Sequence, residues 1–521
     1  MTQPLPGSPR RHSLRGVVAL FVLAVIAVSL RLPGLSAPPV DVHHVRQADT
    51  ANIARNMLRE GVDVLHPRID WAGPEAGYVE SELPLYAAAV ALGWRALGQD
   101  YLDAYVGEHF WLPHMWPRLL SVICWLLGGL VLLKLVRRRL RGPPWVYLLL
   151  YAFSPLAIVF SRTIQPDALA VFLMLCAVER ADSAADREGG TAWLAVLLSG
   201  LVAGIAIAAK GTMALLLPLL PALLLARRRP SGAVRAVLVL VPAVVLPALW
   251  YWHAHVTLGA EGASFGVWGD AAHKWGGPSL WFSQATWRAI LGYVIAEALT
   301  PLGLLLVLRG VVVARGSAEL RIYVVAMLLV ALGSVVLAEG FRLHDYYLLP
   351  LLPFASVLLG AALVDGAKHL GRWGSLSPRM RAGVGLSVLL LATFSVQVGW
   401  GFVSRSFRPD RRVEVVSRGA AAVIPRLSSV VVADRHPQTI IYGVDRRGWH
   451  RTQLPPRELR KLQGLGADYL LITETVPEFR DPELHRFLRL GAIPKWSGSG
   501  WVIYELRPAP PLQPSGTAAP G

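Results

Sequence analysis

The sequence predicts an all-α polytopic membrane bundle of about eleven transmembrane helices, with a long first outer loop and a small C-terminal α/β domain outside the bilayer. Three observations carry that prediction. Of 521 residues, 54% are hydrophobic and only 16% are charged, against about 25% charged in soluble globular chains. The deficit is concentrated in runs such as 191–209 and 211–226, which hold no charged residue and are long enough to read as membrane spans. Every second loop between such runs is basic, and the composition changes to short, strand-length apolar runs after about residue 403.

The expected spans lie near 16–32, 115–136, 143–160, 167–180, 191–209, 211–227, 236–254, 289–308, 322–338, 347–364 and 383–401. The first follows Arg10, Arg11 and Arg15 and runs on into Arg31-Leu32-Pro33-Gly34 without a small-residue cleavage site, so it reads as an uncleaved span and not a signal peptide. The basic loops are Arg137–Arg139 with Arg141, Arg227–Arg229 with Arg235, Arg309 with Arg315 and Arg321, and Lys368 with Arg372, Arg379 and Arg381. The positive-inside rule puts these and the N-terminus in the cytoplasm of an inner membrane, and an odd span count puts the C-terminus outside. The same placement accounts for the net charge of +17 and excludes nucleic acid as its cause, because the cations flank spans instead of forming a patch. Cys124 and Cys176 both fall inside expected spans, which argues against a disulfide or zinc site. No concentrated carboxylate set suggests a metal, and no cofactor is expected.

Residues 1–402 form the expected membrane domain. Its first outer loop, about 33–114, contains two helix-like stretches, 47–60 and 82–97, suited to the interface. Residues 403–507 form the expected α/β domain, with strands at Val430–Val432, Ile440–Tyr442, Tyr469–Ile472 and Trp501–Tyr504 and helices at 412–424 and 456–464. The Pro/Gly/Ala-rich tail 508–521 reads as disordered.

Ionisable residues near membrane depth are costly and tend to have a role. Five positions fall on the expected outer side: Asp41 to Asp49 with Arg46 between them, Glu82 before Leu83-Pro84, Arg162 with Asp167, Lys210 between two apolar runs, and Arg342 with His344, Asp345 and Tyr346. Each has a structural alternative. Asp167 follows a proline at a helix start, where a carboxylate suits the macrodipole; Lys210 can snorkel from a span boundary; and Glu82 can cap a helix. Their shared side favours one cavity in which a carboxylate takes a proton from an acceptor and Arg162, Lys210 and Arg342 hold a phosphate.

At these residues the sequence resembles the GT-C class of membrane glycosyltransferases, in particular the clan of protein O-mannosyltransferases and bacterial aminoarabinose transferases of lipid A. The matching pieces are an Asp soon after the first span, the helix from Arg46 to Asn56, Glu82-Leu83-Pro84-Leu85-Tyr86, Arg162 with Pro166-Asp167, Lys210, and His344 to Pro350. The resemblance implies transfer of a sugar from a polyprenyl-phosphate donor to a lipid, glycan or protein acceptor on the outer face, with a first-loop Asp as general base. The clan's commoner pattern has adjacent Asp-Glu where this chain has Arg46-Gln47, so the base is Asp41 or Asp49, with Asp41 preferred. Asp167 would assist it, and Arg46, Glu82, His344, Asp345 and Tyr346 would contact substrate. A lipid or polymer transporter is the competing class, but the polar groups sit at the outer ends of the spans and no internal repeat is visible. A membrane-anchored sensor is the third reading, and its C-terminal domain carries no nucleotide loop.

Overall fold

The computed structural model describes residues 14–226, 229–261, 263–265, 274–369 and 377–507. Arg10, Arg11, Arg227, Arg228, Arg372 and the tail 508–521 lie outside the described residues.

The chain is mostly helical, as the apolar runs require. Helix Met115–Arg139 has 25 residues, roughly 37 Å at 1.5 Å per residue, enough to cross a hydrocarbon core of about 30 Å. Its terminal arginines meet acids on the neighbouring helix Asp167–Asp186: Arg138 pairs with Glu179 and Asp182, and Arg139 with Asp182 and Asp186. Arg138 and Arg139 are therefore neutralised within the bundle.

Among the described residues, six helices are long and apolar enough to span: Met115–Arg139, Gly190–Ala209, Gly232–Leu258, Ala318–Val336, Asp345–Lys368 and the one beginning at Pro378. A seventh span is possible if Gln284–Ala298 and Pro301–Ala314, bent by 94°, count as one. By length and composition these are fewer than the about eleven spans expected, and prolines and turns that break the apolar runs account for part of the difference. The run 143–160 breaks into Pro144–Leu148, Leu149–Phe153 and Pro155–Phe160, each proline starting a new segment because it cannot donate to the preceding turn. At the 94° bend Thr300 adopts φ +62° and its hydroxyl accepts from Gly303 N. Lys210 leaves Gly190–Ala209 in an extended conformation and a 3₁₀ turn, Gly211–Leu216, follows.

After helix Pro378–Ser406 the chain builds a five-stranded sheet. Its strands are β1 (Val430–Ala433), β2 (Gly448–Arg451), β3 (Tyr469–Thr473), β4 (Ala492–Gly498) and β5 (Trp501–Leu506). The order is β2-β1-β3-β5-β4, with β2, β1 and β3 parallel and the last two antiparallel. Helices Arg411–Val423 and Pro456–Gly464 agree with expectation. Ile440-Ile441-Tyr442 does not: it lies in helix Pro437–Val444, started by its proline. Three apolar residues are too few for periodicity to separate a strand from a helix.

The sheet packs directly on the first loop, residues 33–114. Val430, Val432, Tyr469, Leu471 and Trp501 share a core with Ala51, Ile53 and Met57 of helix His44–Glu60 and with Val90 and Trp94 of helix Leu85–Leu97. Buried Arg55 ties the two together, donating to Tyr442 O (2.7 Å) and Asp70 Oδ2 (2.6 Å) and pairing with Asp445. Both Arg55 and Asp70 side chains are about 5% exposed, and breaking a buried pair costs about 3–5 kcal/mol. Arg55→Met is therefore expected to lower the melting temperature in detergent and to expose residues 411–507 to protease. Unchanged melting and protection would refute this coupling.

Candidate active site

Four segments of the membrane part and the C-terminal sheet converge on one cavity of about 550 Å³. Helix His44–Glu60 supplies its floor. His43, just before it, sits at φ +46°, a left-handed conformation uncommon outside glycine. Its Nε2 donates to Asp345 Oδ1 at 2.9 Å, which also accepts from Tyr346 N at 2.8 Å. The first-loop helix is thereby keyed to the segment 344–347. Arg46 and Asp49, one helical turn apart, both line the cavity.

Charge is arranged in a chain. Arg46 pairs with Glu82, and Lys210 Nζ lies 3.5 Å from both Glu82 Oε1 and Asp167 Oδ2. The Arg46 guanidinium stands 4.4 Å from the Phe265 ring centroid, and Lys210 Nζ is 5.0 Å and 5.8 Å from the Tyr346 and Tyr347 ring centroids. Lys274 reaches the same space, donating to Phe265 O at 2.9 Å. Burial alone would raise the Glu82 carboxyl, but Arg46, then Lys210 and Lys274, hold it well below the usual carboxylate range. Burial lowers the Lys274 ammonium to about 8. Asp49 behaves differently. Burial pushes it up to about 6, against the hydrogen bond from Trp71 Nε1 (3.0 Å) and the charge of Arg46.

The structure brings Arg46, Asp49, Glu82, Lys210, His344 and Tyr346 to the cavity wall, with Asp345 behind His43. It does not bring Asp41 there. Asp41 Oδ1 accepts from Gln47 Nε2 (2.7 Å) and Arg118 Nη2 (3.1 Å), and Arg162 Nη2 is 3.7 Å from Oδ2. Arg162 also donates to Gly34 O and lies 4.0 Å from the Phe407 ring centroid. This buried cluster braces the linker 33–41 against the bundle, so Asp41 and Arg162 are separated from the cavity. Arg342 is partly exposed, pairs with Glu339 three residues away and does not line the cavity. Asp167 is buried at its helix start, does not line the cavity and pairs with Lys210, which does.

Sequence reasoning missed Lys274, Trp71, His436, Gln438 and His450, all on the cavity wall. Lys274 is the lone lysine among residues 257–288, which is the one signal that singles it out. Among the described residues no group of three His, Cys, Asp or Glu side chains is placed to hold a metal ion.

A family model described as dolichyl-phosphate-mannose-protein mannosyltransferase matches residues 114–252. Among solved structures, ArnT from Cupriavidus metallidurans bound to undecaprenyl phosphate superposes with a TM-score of 0.62 at 15% identity, covering 94% of this chain and 98% of that one. The archaeal oligosaccharyltransferase AglB from Archaeoglobus fulgidus, in complex with an inhibitory peptide and a dolichol-phosphate, superposes with a TM-score of 0.55 at 12% identity, covering 95% and 74%. No curated protein matches in sequence. The chain thus has the multi-pass fold of the GT-C membrane glycosyltransferases, and resembles the ArnT and protein-mannosyltransferase branch of that class.

Proposed function

We propose, for a chain with the GT-C membrane glycosyltransferase fold, that it transfers a sugar from a polyprenyl-phosphate donor to an acceptor on the outer face of the membrane. One observation carries this reading: a single cavity holds three cations, Arg46, Lys210 and Lys274, beside one carboxylate suited to take a proton. Glu82 is neutralised by Arg46 and Lys210. Asp49 makes no direct ion pair among the described residues and holds a hydrogen bond from Trp71. The cations and the Tyr346 and Tyr347 rings suit a phosphate that gains charge as the sugar leaves. The base of the proposal is therefore Asp49 and not Asp41, and Arg46 and Lys274 replace Arg162 and Arg342 as phosphate ligands beside Lys210. Asp167 supports Lys210.

The displacement is a single inverting step. The acceptor oxygen or nitrogen attacks the anomeric carbon opposite the phosphate, Asp49 takes the acceptor's proton, and polyprenyl phosphate leaves with the bonding electrons. Purified protein incubated with a panel of polyprenyl-phosphate sugars and candidate acceptors should yield a glycosylated product by mass spectrometry, of inverted configuration by NMR. No product with any donor, or retained configuration, would refute the reading.

The proposal also sets orientation, in an inner membrane with the N-terminus cytoplasmic. Helix Met115–Arg139 begins beside the C-terminal sheet, where His114 Nε2 lies 2.9 Å from Tyr442 Oη, and ends in its arginine triplet. The basic end and the cavity end are opposite. A reporter active only in the cytoplasm, fused after residue 507, is expected to be silent; an active fusion would overturn the orientation.

A further inference from the structure

The C-terminal sheet forms one wall of the cavity. That wall comes from where parallel strands offer it. His436 follows the carboxyl end of β1, Gln438 opens helix Pro437–Val444, and His450 lies in β2. In open parallel sheets the carboxyl ends of the strands are where ligands are held. These side chains are fixed from behind and from across the cavity. His436 N donates to Asp434 Oδ1 at 2.7 Å, and Asp434 is itself held by Arg412, Thr473 and Thr475. From the first loop, His44 Nδ1 is hydrogen-bonded to Thr439 Oγ1 at 2.9 Å, and the His44 and His436 rings meet edge to face at 4.5 Å. Trp71 meets His450 edge to face at 4.7 Å.

The chemistry of this wall differs from that of the opposite one. Its lining residues are imidazoles, a primary amide and an indole, and the C-terminal domain contributes no lysine, arginine or carboxylate to the lining. Burial lowers His44 and His450 to about 4 and lowers His436 as well. Neutral imidazole and amide groups each donate and accept, as a sugar hydroxyl does, and an indole packs against the C–H face of a ring. Among the lining residues of the C-terminal domain a phosphorylated or carboxylated ring finds no cation; the cavity's cations, Arg46, Lys210 and Lys274, all come from the membrane part. The wall also adjoins the proposed base, because Trp71 both donates to Asp49 and packs on His450. It therefore stands on the side from which the attacking hydroxyl must come.

We infer that the His44, Trp71, His436, Gln438 and His450 wall is an acceptor subsite for an uncharged sugar ring, which makes the acceptor a neutral glycan. The inference rests on the transferase reading above and deepens it.

The test uses the full chain in nanodiscs with two probes. Saturation-transfer NMR reads binding of neutral methyl hexopyranosides and their disaccharides, with methyl glucuronide as the charged control. Undecaprenyl phosphate binding is followed in parallel. Neutral glycosides are expected to bind and the glucuronide to bind less. Gln438→Ala and His450→Ala are expected to weaken the neutral glycosides roughly tenfold, the size of a lost hydrogen bond. His450→Gln, which keeps a donor and an acceptor, retains binding, and undecaprenyl phosphate binding is unchanged in all three variants. Glycoside binding that is absent, that ignores these substitutions, or that favours the glucuronide would overturn the neutral-sugar wall. If undecaprenyl phosphate binds under those outcomes, only this inference fails. If it does not bind either, the transferase reading fails with it.

Discussion

Asp49→Asn is expected to lower turnover about 10²–10⁴-fold, the usual worth of a positioned general base, with folding and donor binding intact. The amide keeps the carbonyl oxygen that accepts from Trp71 Nε1 at 3.0 Å, so only the proton acceptor is lost. Asp41→Asn is expected to fail in a different way. It removes the counter-charge from Arg118 and Arg162, whose side chains are 0% and 2% exposed, and so reduces folded yield and melting temperature. Single-turnover transfer read by mass spectrometry, beside thermal unfolding, separates the two. A fully active Asp49→Asn protein together with an inactive, normally stable Asp41→Asn protein would return the base to Asp41.

The same residue sets a pH dependence. Burial raises Asp49 to about 6, so the base is ionised above that pH and kcat/KM falls as pH drops through it. The phosphate of a bound donor adds a nearby negative charge and favours the protonated form further. The acid limb of kcat should therefore lie at higher pH than the acid limb of kcat/KM. Coincident limbs near the ordinary Asp value would exclude Asp49 as the titrating group.

Lys210→Met is the second large effect. Lys210 is 3% exposed and joins Glu82 to Asp167 at 3.5 Å each. A charge-assisted hydrogen bond to phosphate is worth about 1.5–3 kcal/mol, or roughly 10–100-fold in affinity. Undecaprenyl phosphate affinity is expected to fall by that amount. Because the substitution also leaves Asp167 without its cation, the double variant Lys210→Met/Asp167→Asn is needed. It should recover the stability lost in Lys210→Met while leaving phosphate binding weak. Arg342→Ala, at a pair outside the cavity, should bind donor as the parent protein does. Recovery of phosphate binding in the double variant would reduce Lys210 to a structural partner of Asp167.

The residues differ in how readable they were, and for a physical reason. Hydropathy tells which end of a span a charge occupies. Arg46, Glu82, Lys210, His344, Asp345 and Tyr346 were legible that way, as polar groups gathered at one end. It does not tell which side of a segment faces inward. Asp41 and Asp49 lie eight residues apart, and only packing reveals that Gln47 and Arg118 close over the first while the second faces the cavity. Breaks in the helices were hidden for a related reason, since Pro155 and Pro301 sit within apolar runs whose average ignores hydrogen-bond loss. His436, Gln438 and His450 carry no local signal, because they reach the site only through strand pairing and a contact with the first loop.

That last contact has a consequence for the order of biosynthesis. Arg55 and Tyr442 are separated by 387 positions, and ribosomes add about 5–20 residues per second. The first loop therefore waits roughly 20–80 s after its own synthesis for the segment that covers it. Until then its apolar helix faces stand open and the cavity lacks a side. A nascent chain passes through this interval without a finished site, and on the proposed orientation translocation of the last hundred or so residues is the event that completes it. Stalled or nicked chains should accordingly be inert and prone to degradation, not partly active.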